Sequence, residues 1–276
     1  MNDAAARLPA AAIAYARRYP FAIPRASYLY ADGAALPLLV AEGTSCRDYR
    51  VQAADGERPL AAVLAAAGLD CDAVFADRVA VLSLGSNAAP EQLRRKYAGL
   101  PPPVMVPVIR ATLSGFDVVY SAHITRYGSI PAALQAAPAT AVEIFVNLLS
   151  TEQLAVMHRS ESLGQNYAFS RLRGIELRLD GGRDLAEACF YRSRWGLLDL
   201  GEGPLALAAI VARGRRFPAL SEGEVLVRVR DRLAPGLELD EFIAQNIIDP
   251  DLRLARIRQL SAAARAPAFD YEDLEG

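Results

Sequence analysis

Lysine is almost absent from this chain of 276 residues, because Lys96 is the only lysine among 30 basic residues. Such an arginine bias is typical of a GC-rich bacterial genome and by itself predicts no function. The 32 acidic residues leave a net charge of −2. No broad basic field would therefore draw the chain to nucleic acid or to an anionic membrane surface, and we expect neither as a partner.

Cysteine and histidine are also scarce. The three cysteines, Cys46, Cys71 and Cys189, form no CxxC pair, and an odd number does not make a disulfide framework. A reducing cytoplasm is the expected location. His123 and His158 are the only histidines, and neither has partners at metal-ligand spacing. The sequence therefore predicts no metal site and no cofactor.

Long apolar runs are missing as well. The N-terminal run from residue 8 to 19 is short and ends next to Arg17 and Arg18, which favours a first helix over a signal peptide. No run approaches the length that crosses a bilayer. The 53% hydrophobic content nevertheless allows a large core, in one domain or two.

The most informative segment is the run VAVLSLGSN, residues 79–87, which predicts a strand that feeds a tight turn before a helix at Pro90. Gly85 could adopt positive φ and let a ligand approach the main chain, while Ser86 and Asn87 add polar groups beside the amides of the helix start. This arrangement suits an anion or an oxyanion. On these residues alone, an ordinary strand-to-helix connection capped by Asn87 is the commoner structure.

The elements that follow strengthen the functional interpretation. Tyr127-Gly128-Ser129-Ile130 precedes a strand at residues 142–146, and a helical segment at 154–161 ends in Glu161. This order resembles the γ-glutamylcyclotransferase-like family over about residues 79–196. Gly85-Ser86-Asn87 match its substrate loop and Glu161 matches its single catalytic carboxylate. The departures are Leu84 for the loop tyrosine, His158 where an acidic residue is common, and Ser162 for a glycine.

The resemblance implies a reaction in which an α-amine attacks its own γ-amide carbonyl and releases 5-oxoproline and a free amine. Glu161 would act as general acid and base, and the loop amides would receive the oxyanion. Tyr127 and Tyr167 would bind substrate, although tyrosines are more often core residues with a satisfied hydroxyl. Arg126 could pair with a substrate carboxylate. Neither metal nor cofactor is needed.

The fold expected is α+β, with a curled mixed sheet closing into a barrel. We predict an N-terminal extension of helix and hairpin at 1–78, the family-like core at 79–196, and a helical segment packed on it at 197–276. Strands are expected at 105–112, 116–121, 141–148, 175–179 and 187–194, and further helices near 9–18, 58–67, 221–233 and 249–260. The end after Arg265 is expected to be loose.

Ser150-Thr151-Glu152-Gln153 is a capping box and predicts a helix of about ten residues. Glu161 then lies at its C-terminal end, where a carboxylate is unfavourable for the helix dipole. Such a placement indicates a role other than helix stability.

Two other functions stay open at this stage. A non-catalytic binding or assembly module on the same fold is the main alternative, because Leu84 and Ser162 depart from the pattern. A pterin pyrophosphokinase also opens with a strand and Leu-Gly-Ser-Asn, but the acidic cluster it needs for two magnesium ions is missing. Assembly into a homo-oligomer is not decided by the sequence.

Overall fold

The computed structural model describes residues 8–274. The strands are β1 Tyr28–Ala31, β2 Ala34–Leu39, β3 Arg50–Ala53, β4 Gly56–Pro59, β5 Val79–Ser83, β6 Met105–Tyr120, β7 Ala132–Leu149, β8 Tyr167–Leu179, β9 Asp184–Ser193, β10 Ala206–Leu207, β11 Ala212–Arg213, β12 Ala219–Leu220 and β13 Glu272–Leu274. The α-helices are α1 Ala10–Arg17, α2 Leu60–Ala66, α3 Cys71–Ala76, α4 Pro90–Tyr97, α5 Thr151–Ser160, α6 Glu222–Leu233, α7 Leu239–Ile248 and α8 Pro250–Ala262. Short 3-10 turns lie at Cys46–Asp48 and Ser86–Ala88.

Five strands close into a barrel in the order β7-β5-β9-β8-β6, and β6 pairs with β7 to complete it. Most pairs are antiparallel, whereas β5 and β9 run parallel. The hairpin β1-β2 extends the sheet through β1 and β6. The α+β class and the mixed sheet that closes into a barrel are thereby confirmed.

The barrel strands are longer than expected. Two strands were predicted on either side of Gly115, but β6 is continuous, and a register shift between Ser114 and Phe116 bends it. Gly115 has φ +80°, so the glycine serves a bulge and not a hairpin turn. β7 likewise begins nine residues before the predicted start, because pairing with β6 recruits an alanine-rich segment of weak strand propensity.

Helices with clear end signals lie where they were predicted. The capping boxes open α5 and α6, and proline opens α4 and α8. The helices α3 and α7 and the hairpin β3-β4 were missed. No side chain caps α7, whereas Asp70 caps α3 and Asp55-Gly56 marks the hairpin turn. The prediction of a loose C-terminal end was wrong, because β13 pairs with β8 and Asp273 accepts a hydrogen bond from Ser170.

The division into 1–78, 79–196 and 197–276 stays a prediction. Elements from all three segments belong to one sheet, since β1, β11 and β13 pair with barrel strands. Within residues 8–274, no helix is both long and apolar enough to cross a membrane.

A buried carboxyl group on α6 forms a hydrogen bond with the connection between β6 and β7. Glu222, at the first position of α6, is 3% exposed, and its Oε1 accepts a hydrogen bond of 2.8 Å from the Ile130 amide. Its Oε2 has no partner among the described residues. Burial raises the pKa of Glu222 well above its usual value.

Glu222→Gln should therefore make the protein less sensitive to rising pH. The folded-state pKa is raised, so the stability contributed by this group is complete below the unfolded pKa and is lost as pH rises towards the folded pKa. Above pH ~4.3, the free energy of unfolding of the variant should increase relative to that of the native protein by up to about 1.4 kcal/mol per pH unit. Urea unfolding at pH 4.5 and pH 8 measures this. Exposed Glu238→Gln is the control, and a pH-independent difference for Glu222→Gln would contradict the prediction.

Candidate active site

Two helices on one side of the barrel bring the charged groups of the site together. Lys96 lies in the last turn of α4, and Glu161 directly follows the last residue of α5. The Ser150–Gln153 capping box fixes where α5 begins, and the length of α5 then sets the position of Glu161. The two side chains are only 7% and 14% exposed.

Asn87, Lys96 and Glu161 form what we call the ion-paired centre. The Lys96 ammonium forms an ion pair with Glu161 Oε1 and donates a hydrogen bond of 2.6 Å to Asn87 Oδ1. Asn87 Nδ2 donates to the same Glu161 Oε1 at 3.1 Å. No described residue donates a hydrogen bond to Glu161 Oε2. The second carboxylate oxygen is therefore available to a ligand.

The turn after β5 is fixed by its neighbours. The amides of Ala88 and Ala89 close the 3-10 turn by donating to the carbonyls of Gly85 and Ser86. Fully buried Asn147 on β7 donates from Nδ2 to the Asn87 carbonyl at 3.1 Å. Among the hydrogen bonds within 8–274, none uses the amides of residues 85–87. These amides are free to donate hydrogen bonds to a ligand, and their role in binding a negative oxygen stays a prediction.

A cavity of about 240 Å³ lies between this turn and the end of α5. All six residues predicted for the site line it, namely Gly85, Ser86, Asn87, Tyr127, Glu161 and Tyr167. The structure thus brings the predicted residues together, while their roles in binding and catalysis stay predictions.

Gly85 is required for a reason other than the one expected. Its φ is −157°, so it does not use the left-handed region. A Cβ at this position would instead lie 2.2 Å from the hydroxyl of Tyr19 and 3.3 Å from the Cβ of Ala132. The Tyr19 hydroxyl accepts a hydrogen bond of 2.7 Å from the Ala132 amide. The glycine therefore makes room for a phenol from the N-terminal segment.

Four tyrosines surround the cavity, Tyr19, Tyr127, Tyr167 and Tyr191. Burial raises the pKa of each phenol, and the negative charge of Glu161 raises it further. All four are consequently neutral hydrogen-bonding groups at physiological pH. Neutral phenols can orient a polar substrate through hydrogen bonds and add no second charge next to Glu161.

The two histidines do not act as partners of Glu161. The Nδ1 of His158 lies 2.9 Å from the Tyr191 hydroxyl. His123 lines the cavity with its Nδ1 2.9 Å from Ser121 Oγ. Burial lowers the pKa of His123 to about 3, so it is a neutral wall residue. Within the described part of the chain, no cluster of three or more His, Cys, Asp or Glu side chains could hold a metal ion.

Sequence reasoning missed three residues that build the site. Lys96 is the only lysine of the chain, and the composition alone gives no indication that it lies in the site. Asn147 looked like one polar residue inside an apolar strand, a pattern that often marks a buried hydrogen-bonding position. Tyr19 lies 66 residues before the turn it contacts, and no local pattern in the sequence indicates that contact.

Comparison with known proteins yields only a distant likeness. No protein-family model and no curated protein match the sequence. Among solved structures, a chain titled γ-glutamyl cyclotransferase aligns with 71% of this chain and 94% of its own, at 11% identity and a TM-score of 0.35. An uncharacterized protein from Homo sapiens aligns with the same shares, at 10% identity and a TM-score of 0.34.

Gly85→Ala should lower the free energy of unfolding by about 1–3 kcal/mol, because buried Tyr19 cannot move aside freely. Tyr19→Phe should cost a similar amount, since the Ala132 amide loses its acceptor. Removing the hydroxyl also makes room for the new methyl group, so the double variant should be less destabilised than the sum of the two changes. Chemical unfolding measures the cycle.

Gly99→Ala is the matched control, because a Cβ there meets no atom within 4 Å. It should stay within about 0.5 kcal/mol of the native protein. Strict additivity of Gly85→Ala and Tyr19→Phe would show that the phenol does not explain the glycine.

Proposed function

We propose that this protein is a γ-glutamylcyclotransferase-like enzyme that converts a γ-glutamyl amide, or a related acyl amide, into 5-oxoproline and a free amine. The observation that carries the proposal is the meeting of Glu161 with the Gly85-Ser86-Asn87 turn in one cavity. A proton-transfer group and a set of amide donors can then reach the same carbonyl group.

The cavity suits a small acyl group. Its volume of about 240 Å³ lies below the range of roughly 300–1,000 Å³ for sites of drug-sized ligands. Walls of neutral phenols and backbone amides can hydrogen-bond an amino acid head group. A cavity of this size also favours a folded substrate, in which the α-amine lies against the γ-carbonyl carbon.

The proton path follows from the ion-paired centre. Lys96 and Asn87 engage Oε1 of Glu161 and fix the orientation of the carboxylate. Oε2 takes the proton from the substrate α-amine as its nitrogen bonds to the γ-carbonyl carbon. The tetrahedral oxyanion is stabilised by the turn amides. The C–N bond of the amide then breaks, and the proton returns from Glu161 to the leaving nitrogen.

A binding module without turnover is the second candidate. The observation that favours it is the ion pair itself, because a carboxylate already engaged by Lys96 and Asn87 can help to bind a ligand without transferring a proton. Such a module would bind γ-glutamyl compounds in the same cavity and leave them intact.

The direct test is incubation with a panel of γ-glutamyl amines and peptides, followed by detection of 5-oxoproline. Ring closure already holds nucleophile and carbonyl at high effective molarity, so the proposed reaction needs no Lewis acid. The rate should consequently be unchanged by exhaustive chelation. Bound but unconverted compounds would support the module and contradict the enzyme.

Glu161→Gln should lower the rate by roughly two to four powers of ten while ligand binding persists, because glutamine keeps the shape and loses the titrating group. Glu152→Gln is the control, an exposed carboxyl in the first turn of the same helix, and should leave the rate unchanged. Thermal melts of both variants establish that they fold. Equal rates for the native protein and Glu161→Gln would remove Glu161 from the mechanism.

A further inference from the structure

Two of the three cysteines face each other, although 25 positions separate them in the chain. Cys46 is the first residue of the 3-10 turn Cys46–Asp48, and Cys71 is the first residue of α3. Cys71 Sγ lies 3.4 Å from the Cys46 carbonyl oxygen, and Cys46 Sγ lies 3.9 Å from the Cys71 carbonyl oxygen. Each side chain therefore contacts the main chain of the other residue. Both thiols are free.

The neighbours of the two cysteines hold both segments in place. Ser45 opens the 3-10 turn with a capping box, and Asp70 caps α3 with a hydrogen bond of 2.9 Å from the Ala73 amide. The residues that directly follow the cysteines then join the two segments, because Arg47 Nε donates to both carboxylate oxygens of Asp72, at 3.0 and 2.8 Å. The two thiols are thus positioned without any covalent link between them.

The two thiols differ in exposure and in acidity. Cys46 is partly exposed, whereas Cys71 is only 5% exposed. Burial, and then a hydrogen bond with Cys46, raise the pKa of the Cys71 thiol to about 12. Burial also raises the pKa of the Cys46 thiol, but there the hydrogen bond with Cys71 acts in the opposite direction. Because the thiolate is the nucleophile, Cys46 is the residue that reacts first with a reagent from solution.

We propose that Cys46 and Cys71 form a site of reversible oxidation, at which a low-molecular-weight disulfide converts the two thiols into one intramolecular disulfide bond. Sulfur atoms that already contact the partner's main chain can meet through side-chain rotation, with little movement of either backbone. In a reducing compartment the pair stays as thiols, and disulfides formed there are typically transient. Neither cysteine lines the cavity, so the proposal is independent of the proposed function.

The oxidation consists of two exchanges. The Cys46 thiolate attacks one sulfur of the reagent, the S–S bond of the reagent breaks, and one thiolate leaves and takes up a proton. The Cys71 thiol then loses its proton and attacks Cys46 Sγ, which forms the Sγ–Sγ bond and releases the other half of the reagent as a thiol. The two cysteines lose two electrons and two protons, and the reagent gains both.

Thiol labelling after oxidation tests the proposal. Bis(2-hydroxyethyl) disulfide is the probe, because it carries no γ-glutamyl group. The native protein is kept with it at about pH 8.5, near the ordinary thiol pKa, until labelling no longer changes, and is then unfolded in excess iodoacetamide. We expect label on Cys189 alone, against label on all three cysteines after reduction with dithiothreitol. Trypsin cleaves after Arg47 and so separates Cys46 from Cys71, and mass spectrometry should find the two peptides linked.

Single variants assign the two exchanges. Cys71→Ala should stop at a mixed disulfide on Cys46, and Cys46→Ala should leave Cys71 unmodified. Cys189→Ala is the matched control, because Cys189 lies on β9 in a different hydrophobic cluster from Cys71. In the control and in the native protein, oxidation should raise the urea midpoint, since a bond that closes a long loop restricts the unfolded chain. Neither of the other variants should show this rise.

Three free thiols in the native protein after this treatment, or a mixed disulfide that persists on Cys46, would overturn the proposal. A bond that involves Cys189 or joins two chains would also overturn it. The same holds for an oxidised native protein whose urea midpoint is no higher than that of the reduced one, because the folded structure would then not accommodate the bond.

Discussion

The site depends on one buried ion pair. Lys96 and Glu161 lie on different helices, and their contact, bridged by Asn87, ties the end of α4, the end of α5 and the turn after β5 into one unit. Removing one member of such a pair leaves the other charge without its partner, which is destabilising. Glu161 directly follows the last residue of α5, and Asn87 lies four positions after the last residue of β5. The barrel therefore places these groups at one edge.

The N-terminal segment is part of this construction. Tyr19 supplies a phenol that lies next to Gly85 and lines the cavity. The aromatic ring of Tyr15 contacts Tyr127 at 5.4 Å between centroids and helps to hold the cavity wall. One lining residue of the cavity, Tyr19, therefore comes from outside 79–196, and a protein shortened to that range would lack this part of the wall.

Local signals in the sequence were sufficient for much of the site. The capping box at Ser150 fixed α5 and hence the place of Glu161, and the abrupt end of the apolar run at residue 84 located the turn. Long-range packing was not predictable in this way. From the sequence alone, Gly115 resembles a turn residue, and only the pairing of β6 with β7 shows that it belongs to a bent strand. No local pattern indicates the contact of Tyr19 with Gly85 or the pairing of β13 with β8.

The most direct measurement of the central claim is a crystal structure of Glu161→Gln with a bound γ-glutamyl compound. We expect the γ-carbonyl oxygen to lie about 2.7–3.1 Å from an amide nitrogen of the Gly85-Ser86-Asn87 turn. We also expect the α-amine to lie against the side chain of residue 161. An acyl group bound outside the cavity, or a γ-carbonyl turned away from the turn, would contradict the proposed roles of Glu161 and the turn.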